Sequence, residues 1–241
     1  MGHVLIIAIL LTAVSLVYSM VGQAGGTAFL AIMALMGLPA AELRPTALIL
    51  NIVAAGYATW RLNAAQVIDW RLLAYVGLPA LPLSFLGGMV ALESGVYFTL
   101  TGCVLLFAAV MMVTKWKALA SSSPGIVPAA LVGSVAGFAS GITGIGGGVF
   151  LAPAVVALSW GTARQAANLS APFILGNSMT GLLGVVIAGQ RPTADVGPYA
   201  LAALAGAVVG TMIGQRFMSE RATRYVLAAI LLVAGLRLLG R

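Results

Sequence analysis

The sequence predicts an all-α polytopic membrane protein with about ten membrane segments, arranged as two inverted five-segment repeats with glycine-broken helices. Three observations lead to this prediction. Of the 241 residues, 61% are hydrophobic and only 7% are charged, with a mean hydropathy of +1.10, whereas a soluble domain carries roughly 25% charged residues. Apolar runs recur along the whole chain. A glycine-rich stretch near the start also has a counterpart near the middle.

The apolar runs are separated by polar, glycine or proline residues, which divide each half of the chain into five segments. The first half contains Val4–Met20, Thr27–Gly37, Arg44–Trp60, Leu72–Leu92 and Val96–Thr114. The second half contains Ile126–Gly141, Val149–Trp160, Gln165–Ala188, Val196–Phe217 and Thr223–Leu239. A full crossing needs about 20 apolar residues. The shorter second segment of each half is therefore predicted to be a half-helix or a re-entrant piece.

A polar linker, residues 115–124, lies almost midway and marks the boundary between two transmembrane repeats, 1–120 and 121–241. Because five is an odd number, the second copy begins on the opposite side of the bilayer and is inverted. If all ten segments alternate, one side receives eight basic residues and the other receives four. This bias predicts that both termini lie outside the cytoplasm. If the first two segments of each half form one broken span, the numbers are seven and five, and the halves are parallel.

Two glycine-rich stretches interrupt the segments and are the main candidates for a binding site. Paired without gaps, they place Gly25 opposite Gly146 and Gly26 opposite Gly147. A helix that begins after such a break presents free N–H groups and a positive dipole end, which suit an anion. The alternative role is close helix packing. The predicted substrate-binding residues in these stretches are Gly22, Gln23, Gly25, Gly26, Thr27, Thr143, Gly144, Gly146, Gly147 and Gly148.

Polar residues in the third segment of each half extend the candidate site. Asn51 and Asn177 are predicted to bind substrate, with interhelical hydrogen bonding as an equal alternative. Arg44 and Arg164 stand at the start of these segments and are predicted to guide an anion toward the cavity, although an arginine there more often lies at the membrane interface. Interhelical hydrogen bonding is favoured for the other polar residues, Thr46, Asn168, Ser170, Ser178 and Thr180.

The ionisable residues argue against several other kinds of protein. His3 and Cys103 are the single histidine and cysteine of the sequence, so neither a metal site, a cofactor nor an enzyme is predicted. The basic residues lie mostly between apolar segments, so they indicate topology and not a nucleic-acid partner. Four acids fall in predicted loops or at segment ends, which argues against a buried carboxylate relay: Asp69, Glu93, Asp195 and Glu220.

The second glycine-rich stretch resembles the signature of the TauE/SafE family of membrane permeases, also called the sulfite exporter or TSUP family. The resemblance lies in Gly144-Ile145-Gly146-Gly147-Gly148-Val149-Phe150-Leu151-Ala152-Pro153, a glycine run followed by an apolar helix with an early proline. A degenerate copy from Gly22 to Leu30 and the duplicated layout add to it. In the first copy Gln23-Ala24 replaces glycine positions, and Ile32 stands where the second has Pro153. The two sites are therefore expected to be unequal, and the second to be the stronger.

This resemblance implies a bacterial inner-membrane permease that moves sulfite, sulfonates or other organosulfur anions, often outward. The implied partner is a small, sulfur-containing anion, and the protein lies in the lipid bilayer. The alternative is a drug/metabolite-type ten-helix exporter, which shares the inverted five-helix plan but moves neutral or cationic solutes. A membrane scaffold, an enzyme acting on lipid and a channel are further alternatives.

Overall fold

The structure, a computed structural model, describes residues 2–114 and 125–217 together with residues 225, 228, 229, 232, 233, 235, 236 and 238–240. All regular secondary structure in these residues is helical, and no strand occurs among them. Nine helices lie in the two long described ranges: α1 (Gly2–Ser19), α2 (Gly26–Leu35), α3 (Ala40–Ala64), α4 (Trp70–Met89), α5 (Ser94–Val113), α6 (Ile126–Thr143), α7 (Gly148–Ala157), α8 (Ala163–Ile187) and α9 (Val196–Phe217).

The nine helices coincide with nine of the ten predicted apolar segments, and α9 has the predicted bounds. Part of the tenth segment, Thr223–Leu239, lies outside the described residues, and the residues described between 225 and 239 are helical. Five helices are long and apolar enough to cross a membrane by length and composition: α1, α4, α6, α8 and α9. The protein is therefore an integral membrane protein.

The helices α2 and α7 have ten residues each. At 1.5 Å per residue, each is about 15 Å long, roughly half of the 30 Å hydrocarbon core. This length agrees with the predicted half-helices. Each one follows a helix of 18 residues, from which a glycine break separates it.

Two pairs of long helices pack along rows of glycines. The row in α6 lies against the backbone of α4 and consists of Gly133, Gly137 and Gly141. The row in α9 lies against the backbone of α1 and consists of Gly206, Gly210 and Gly214. A Cβ at any of these six positions would meet a backbone carbonyl oxygen of the partner helix. Glycines spaced four residues apart line one face of a helix, so the two backbones can approach closely. Small residues have the same effect at other membrane helix interfaces.

The helices α3 and α8 pack against each other at the centre of the molecule. Helix α8 also contacts α4 and α7, and α3 also contacts α2 and α9. Of the five candidate spans, α8 is the most deeply buried. Because α2 and α7 pack on this central pair, the two glycine breaks that precede them lie at the centre of the molecule too.

Candidate functional site

The first glycine break connects α1 to α2. Gly22 and Gly25 have φ angles of 75° and 105°, a left-handed conformation that glycine adopts without steric cost. Gly25 caps α2 without a side-chain hydrogen bond to the helix. Thr27, in the first turn of α2, donates a 2.7 Å hydrogen bond to the hydroxyl of Tyr18 at the end of α1. This hydrogen bond joins the two helices on either side of the break. Gln23, within the break, is buried.

The second glycine break connects α6 to α7 and is shorter. Gly144, Gly146 and Gly147 have φ angles of 80°, 91° and 80°, so three of its four residues are left-handed. The hydroxyl of Thr143 donates to Ala139 O at 2.6 Å and accepts a 3.4 Å hydrogen bond from the N–H of Ile145. Glycine residues therefore determine the backbone conformation of this break. Thr143 is the last residue of α6 before it.

The two breaks meet at Asn51 of α3. A Cβ at Gly26 would lie 2.5 Å from Asn51 Nδ2 and would also meet the carbonyl oxygen of Ile145. A Cβ at Gly146 would lie 3.0 Å from the same Nδ2. The Asn51 amide donates a 3.4 Å hydrogen bond to Gly144 O, while its buried Oδ1 has no hydrogen-bond partner. Asn51 thus contacts both breaks, as its predicted role requires.

The half-helices begin with free backbone donors at this meeting point. Among the described residues, the N–H groups of Gly26 and Thr27 in α2 and of Gly148 and Val149 in α7 have no hydrogen-bond acceptor. The residues of both helix starts are buried. Buried helix N-termini without a capping side chain carry a positive partial charge and unused donors. Such a place suits an anion more than a cation.

Arg44 lies beside the second break and is 1% exposed. Helix α3 begins at Ala40, one turn before the predicted start at Arg44, so this arginine lies inside the helix and is enclosed by protein. A Cβ at Gly144 would be 3.3 Å from Arg44 Cα. The guanidinium donates four hydrogen bonds to carbonyl oxygens, at distances of 2.8 to 3.3 Å: Gly87 O, Gly88 O and Val90 O at the end of α4, and Gly141 O of α6.

Arg164 and Asn177, both on α8, differ in exposure. Arg164 is exposed in the first turn of α8. Asn177 is buried in α8, where its Nδ2 donates to Phe173 O at 3.0 Å and its Oδ1 has no partner. The two arginines that the sequence paired therefore occupy unlike environments.

The other polar residues of the third segments divide into two groups. The backbone N–H of Thr193 donates to Thr46, and Asn168 donates to Val67 O. Ser170 and Thr180 donate to carbonyls one turn earlier in their own helix. Ser178 differs, since its buried hydroxyl has no partner and lies 3.3 Å from the position of a Cβ on Gly146. The expected interhelical bond is therefore absent at Ser170, Thr180 and Ser178.

Sequence reasoning also missed Ser140, near the end of α6. Its hydroxyl is buried without a partner, and its Cβ lies 3.2 Å from the position of a Cβ on Gly147. The available signal was the ungapped pairing of the two halves, which places Ser140 opposite Ser19. The hydroxyl of Ser19 is likewise buried without a partner.

Within the described part of the chain, no group of three or more His, Cys, Asp or Glu residues could hold a metal ion. Asp69 caps the start of α4 by accepting a 3.0 Å hydrogen bond from Leu72 N. Glu93 directly precedes α5 and Asp195 directly precedes α9, while Glu220 lies outside the described residues. Among the described residues, Arg44 is the charged residue among the atoms nearest to the glycines of the second break, since it lies against Gly144.

Comparison with known proteins identifies relatives along almost the whole chain. The family model described as "Sulfite exporter TauE/SafE" matches residues 6–238. A curated relative from Sinorhizobium fredii (strain NBRC 101917 / NGR234), named "Probable membrane transporter protein y4hK", is 36% identical over 239 residues, which cover 97% of each chain. No solved structure gives a significant match.

Proposed function

The chain belongs to the sulfite exporter TauE/SafE family of membrane transporters, and we propose that it is a bacterial inner-membrane permease for sulfite or small organosulfur anions such as sulfonates. The proposed binding site is the meeting point of the two glycine breaks. The observation that carries the proposal is the contact of both breaks with Asn51. Free N–H groups and one buried arginine surround that contact, so its chemistry favours a negatively charged ligand.

The proposed ligands divide into backbone and side-chain groups. Oxygens of the anion accept hydrogen bonds from the N–H groups at the starts of α2 and α7, as anions do at other helix N-termini. Asn51 orients the anion between the breaks. The remaining predicted residues form the wall of the site: Gly22, Gln23, Gly25, Thr27, Thr143, Gly144, Gly146, Gly147 and Asn177.

The two arginines guide the anion in different ways in this proposal. Arg164, which is exposed, attracts it from outside by long-range electrostatics. Arg44 acts from behind the second break, because its hydrogen bonds to carbonyls hold a positive charge next to Gly144. A carbonyl neutralises only part of that charge, so the surroundings of the break stay electropositive.

We also propose the inverted-repeat architecture, with repeats 1–120 and 121–241. Its support is a correspondence of lengths and partners. Helices α1, α2 and α3 have 18, 10 and 25 residues, and so do α6, α7 and α8. The fourth helix of each half packs on the first helix of the other half, since α4 contacts α6 and α9 contacts α1. Rocking of the halves about the central site would give alternating access.

Thermal stability with candidate ligands tests the proposed substrate, because a ligand that binds only the folded protein raises its melting temperature. The purified protein is heated with sulfite, sulfoacetate, thiosulfate, sulfate, lactate or a cationic drug. We expect sulfur oxyanions to raise the melting temperature. A rise in melting temperature with the cationic drug alone would favour the drug/metabolite-type exporter. A separate assay of flux into proteoliposomes distinguishes a transporter from a scaffold or an enzyme.

The same measurement with Asn51→Asp tests the proposed position of the site. This nearly isosteric change places a carboxylate where the anion is expected, and it should abolish the ligand-induced rise. Asn63→Asp is the matched control, because Asn63 lies on the same helix and is exposed at its far end. An Asn51→Asp protein that keeps the full rise would exclude the meeting point of the breaks as the binding site.

A further inference from the structure

Two serines near the second glycine break have buried hydroxyl groups that bind nothing in the described structure. They are Ser140 of α6 and Ser178 of α8, and each is 0% exposed. A serine inside a helix normally satisfies its hydroxyl by donating to the carbonyl one turn earlier. Ser170 does this, with a 2.8 Å hydrogen bond to Ala166 O. Ser140 and Ser178 do not make this bond, so their hydroxyls are free for another partner.

The two serines lie on different helices but next to adjacent glycines. Ser178 Oγ is 3.3 Å from where Gly146 would carry a Cβ, and Ser140 Cβ is 3.2 Å from the corresponding position at Gly147. Asn51, whose Oδ1 also has no partner, lies close to the same position, with its Nδ2 3.0 Å from where Gly146 would carry a Cβ. Buried polar atoms without a partner are rare and costly in folded proteins, and here three of them surround one pair of glycines.

We propose that Ser140 and Ser178 are additional substrate-binding residues, whose hydroxyls donate to oxygens of the anion at Gly146 and Gly147. This inference rests on the proposed function and assigns two ligands that the family resemblance did not supply. The serines, Asn51 and the backbone N–H groups are neutral. The anion is thus bound mainly by dipoles, and the charge of Arg44 is engaged by carbonyl oxygens behind the break.

Removal of either hydroxyl should weaken anion binding without unfolding the protein. A hydrogen bond to a charged group contributes enough that Ser140→Ala or Ser178→Ala should raise the dissociation constant about tenfold or more. Ser15→Ala is the matched control, because Ser15 is also buried but lies on α1, and its hydroxyl already donates to Ala203 O at 2.6 Å. Affinity is read from the ligand dependence of the melting temperature. Equal affinities in the two alanine variants and the control would overturn the assignment.

Cysteine accessibility gives a second test that does not require knowledge of the natural substrate. The exposed Cys103 is first replaced by serine, and Ser140→Cys, Ser178→Cys and Ser15→Cys are introduced one at a time. Membranes are treated with 2-sulfonatoethyl methanethiosulfonate, an anionic thiol reagent. We expect it to label the cysteines at 140 and 178 and to spare the one at 15, which is buried between α1 and α9. Sulfoacetate is the protecting ligand, since sulfite itself consumes the reagent.

The outcomes separate this inference from the proposed function. Labelling at 140 and 178 that sulfoacetate slows supports both. The same labelling without protection by any sulfonate supports the two serines as part of an anion pathway and counts against the sulfur substrate. No labelling in a protein that still moves a sulfur anion overturns the role of the serines and leaves the function standing. Absence of both labelling and transport overturns both, and equal labelling at 15 overturns the assignment to these two hydroxyls.

Discussion

The two glycine breaks share a backbone plan but differ in what surrounds them. Each follows an 18-residue helix and begins a ten-residue helix, and the paired residues Gly25 and Gly146 have φ angles of 105° and 91°. The three atoms nearest to a Cβ on Gly25 all belong to Phe29 of the same half-helix. Those nearest to a Cβ on Gly146 belong to α3 and α8, and they include Asn51 and Ser178.

This difference shows that the backbone conformation of a break and the side chains around it are determined by different parts of the sequence. Glycines in the left-handed conformation determine where each helix stops, and that information is local. The polar surroundings come from neighbouring helices, which bring different side chains to each break. The first break is closed by the contact of Thr27 with Tyr18, whereas Arg44, Asn51, Ser140 and Ser178 surround the second. Similar backbones therefore make unequal sites.

The largest expected effect concerns the two arginines. Arg44→Ala removes a hydrogen-bond donor from four carbonyl oxygens, at a cost of about 1–3 kcal/mol for each buried one that stays unsatisfied. Arg164→Ala alters an exposed side chain and should change the free energy of unfolding by less than about 0.5 kcal/mol. Thermal unfolding in detergent measures both. Similar melting temperatures for the two variants would contradict the role of Arg44 in joining α4 to α6.

A second comparison uses alanine at the paired glycines. Gly25→Ala and Gly146→Ala force alanine into similar left-handed conformations, each at a cost of roughly 1–2 kcal/mol, so the backbone penalty nearly cancels between them. Only the second places a methyl group against Asn51 and Ser178. We expect Gly146→Ala to lose the ligand-induced rise in melting temperature and Gly25→Ala to retain part of it. The reverse order would place the main site at the first break.

The smallest expected effect distinguishes the paired serines. Ser140 lies against Gly147, whereas Ser19 is not among the atoms nearest to any glycine of either break. Ser140→Ala should therefore weaken anion binding about tenfold, and Ser19→Ala should weaken it less. Dissociation constants from ligand-dependent melting provide the measurement. Equal losses of affinity in the two variants would indicate that the two breaks contribute equally to anion binding.

Much of the fold was predictable because apolar length and glycine or proline punctuation are local signals. The apolar run Val196–Phe217 gave the bounds of α9, and the glycines at the end of α6 marked the break there. The rows of glycine in α6 and α9 were also visible as a four-residue repeat from Gly133 and from Gly206. The helices against which these glycine rows pack were not visible, because a sequence does not tell which helix a glycine face will contact.

The candidate site was predictable in its backbone and less so in its side chains. Asn51 was identified from its polarity at membrane depth. Arg44 was predicted to guide an anion, but its burial was not visible, because it follows from the contacts of Arg44 with α4 and α6. Ser140 and Ser178 looked like ordinary helix serines, since the absence of a hydrogen-bond partner is a property of the assembled helices. Tertiary contacts carry this information, and they are not visible when a sequence is read one segment at a time.

The pairing of α1 with α9 has a consequence for the synthesis of the protein. Thr12 Oγ1 and Ser15 Oγ of α1 donate to the carbonyls of Ala202 and Ala203 in α9, so the first helix made finds its main partner only when the ninth emerges. A ribosome that adds about 5–20 residues per second needs roughly 10–40 seconds for that interval. During this time Ser15 Oγ lacks its acceptor in α9, whereas Thr12 Oγ1 can donate to Ala8 O of its own helix. We therefore expect the first half to become protected from proteolysis only after α9 has been inserted.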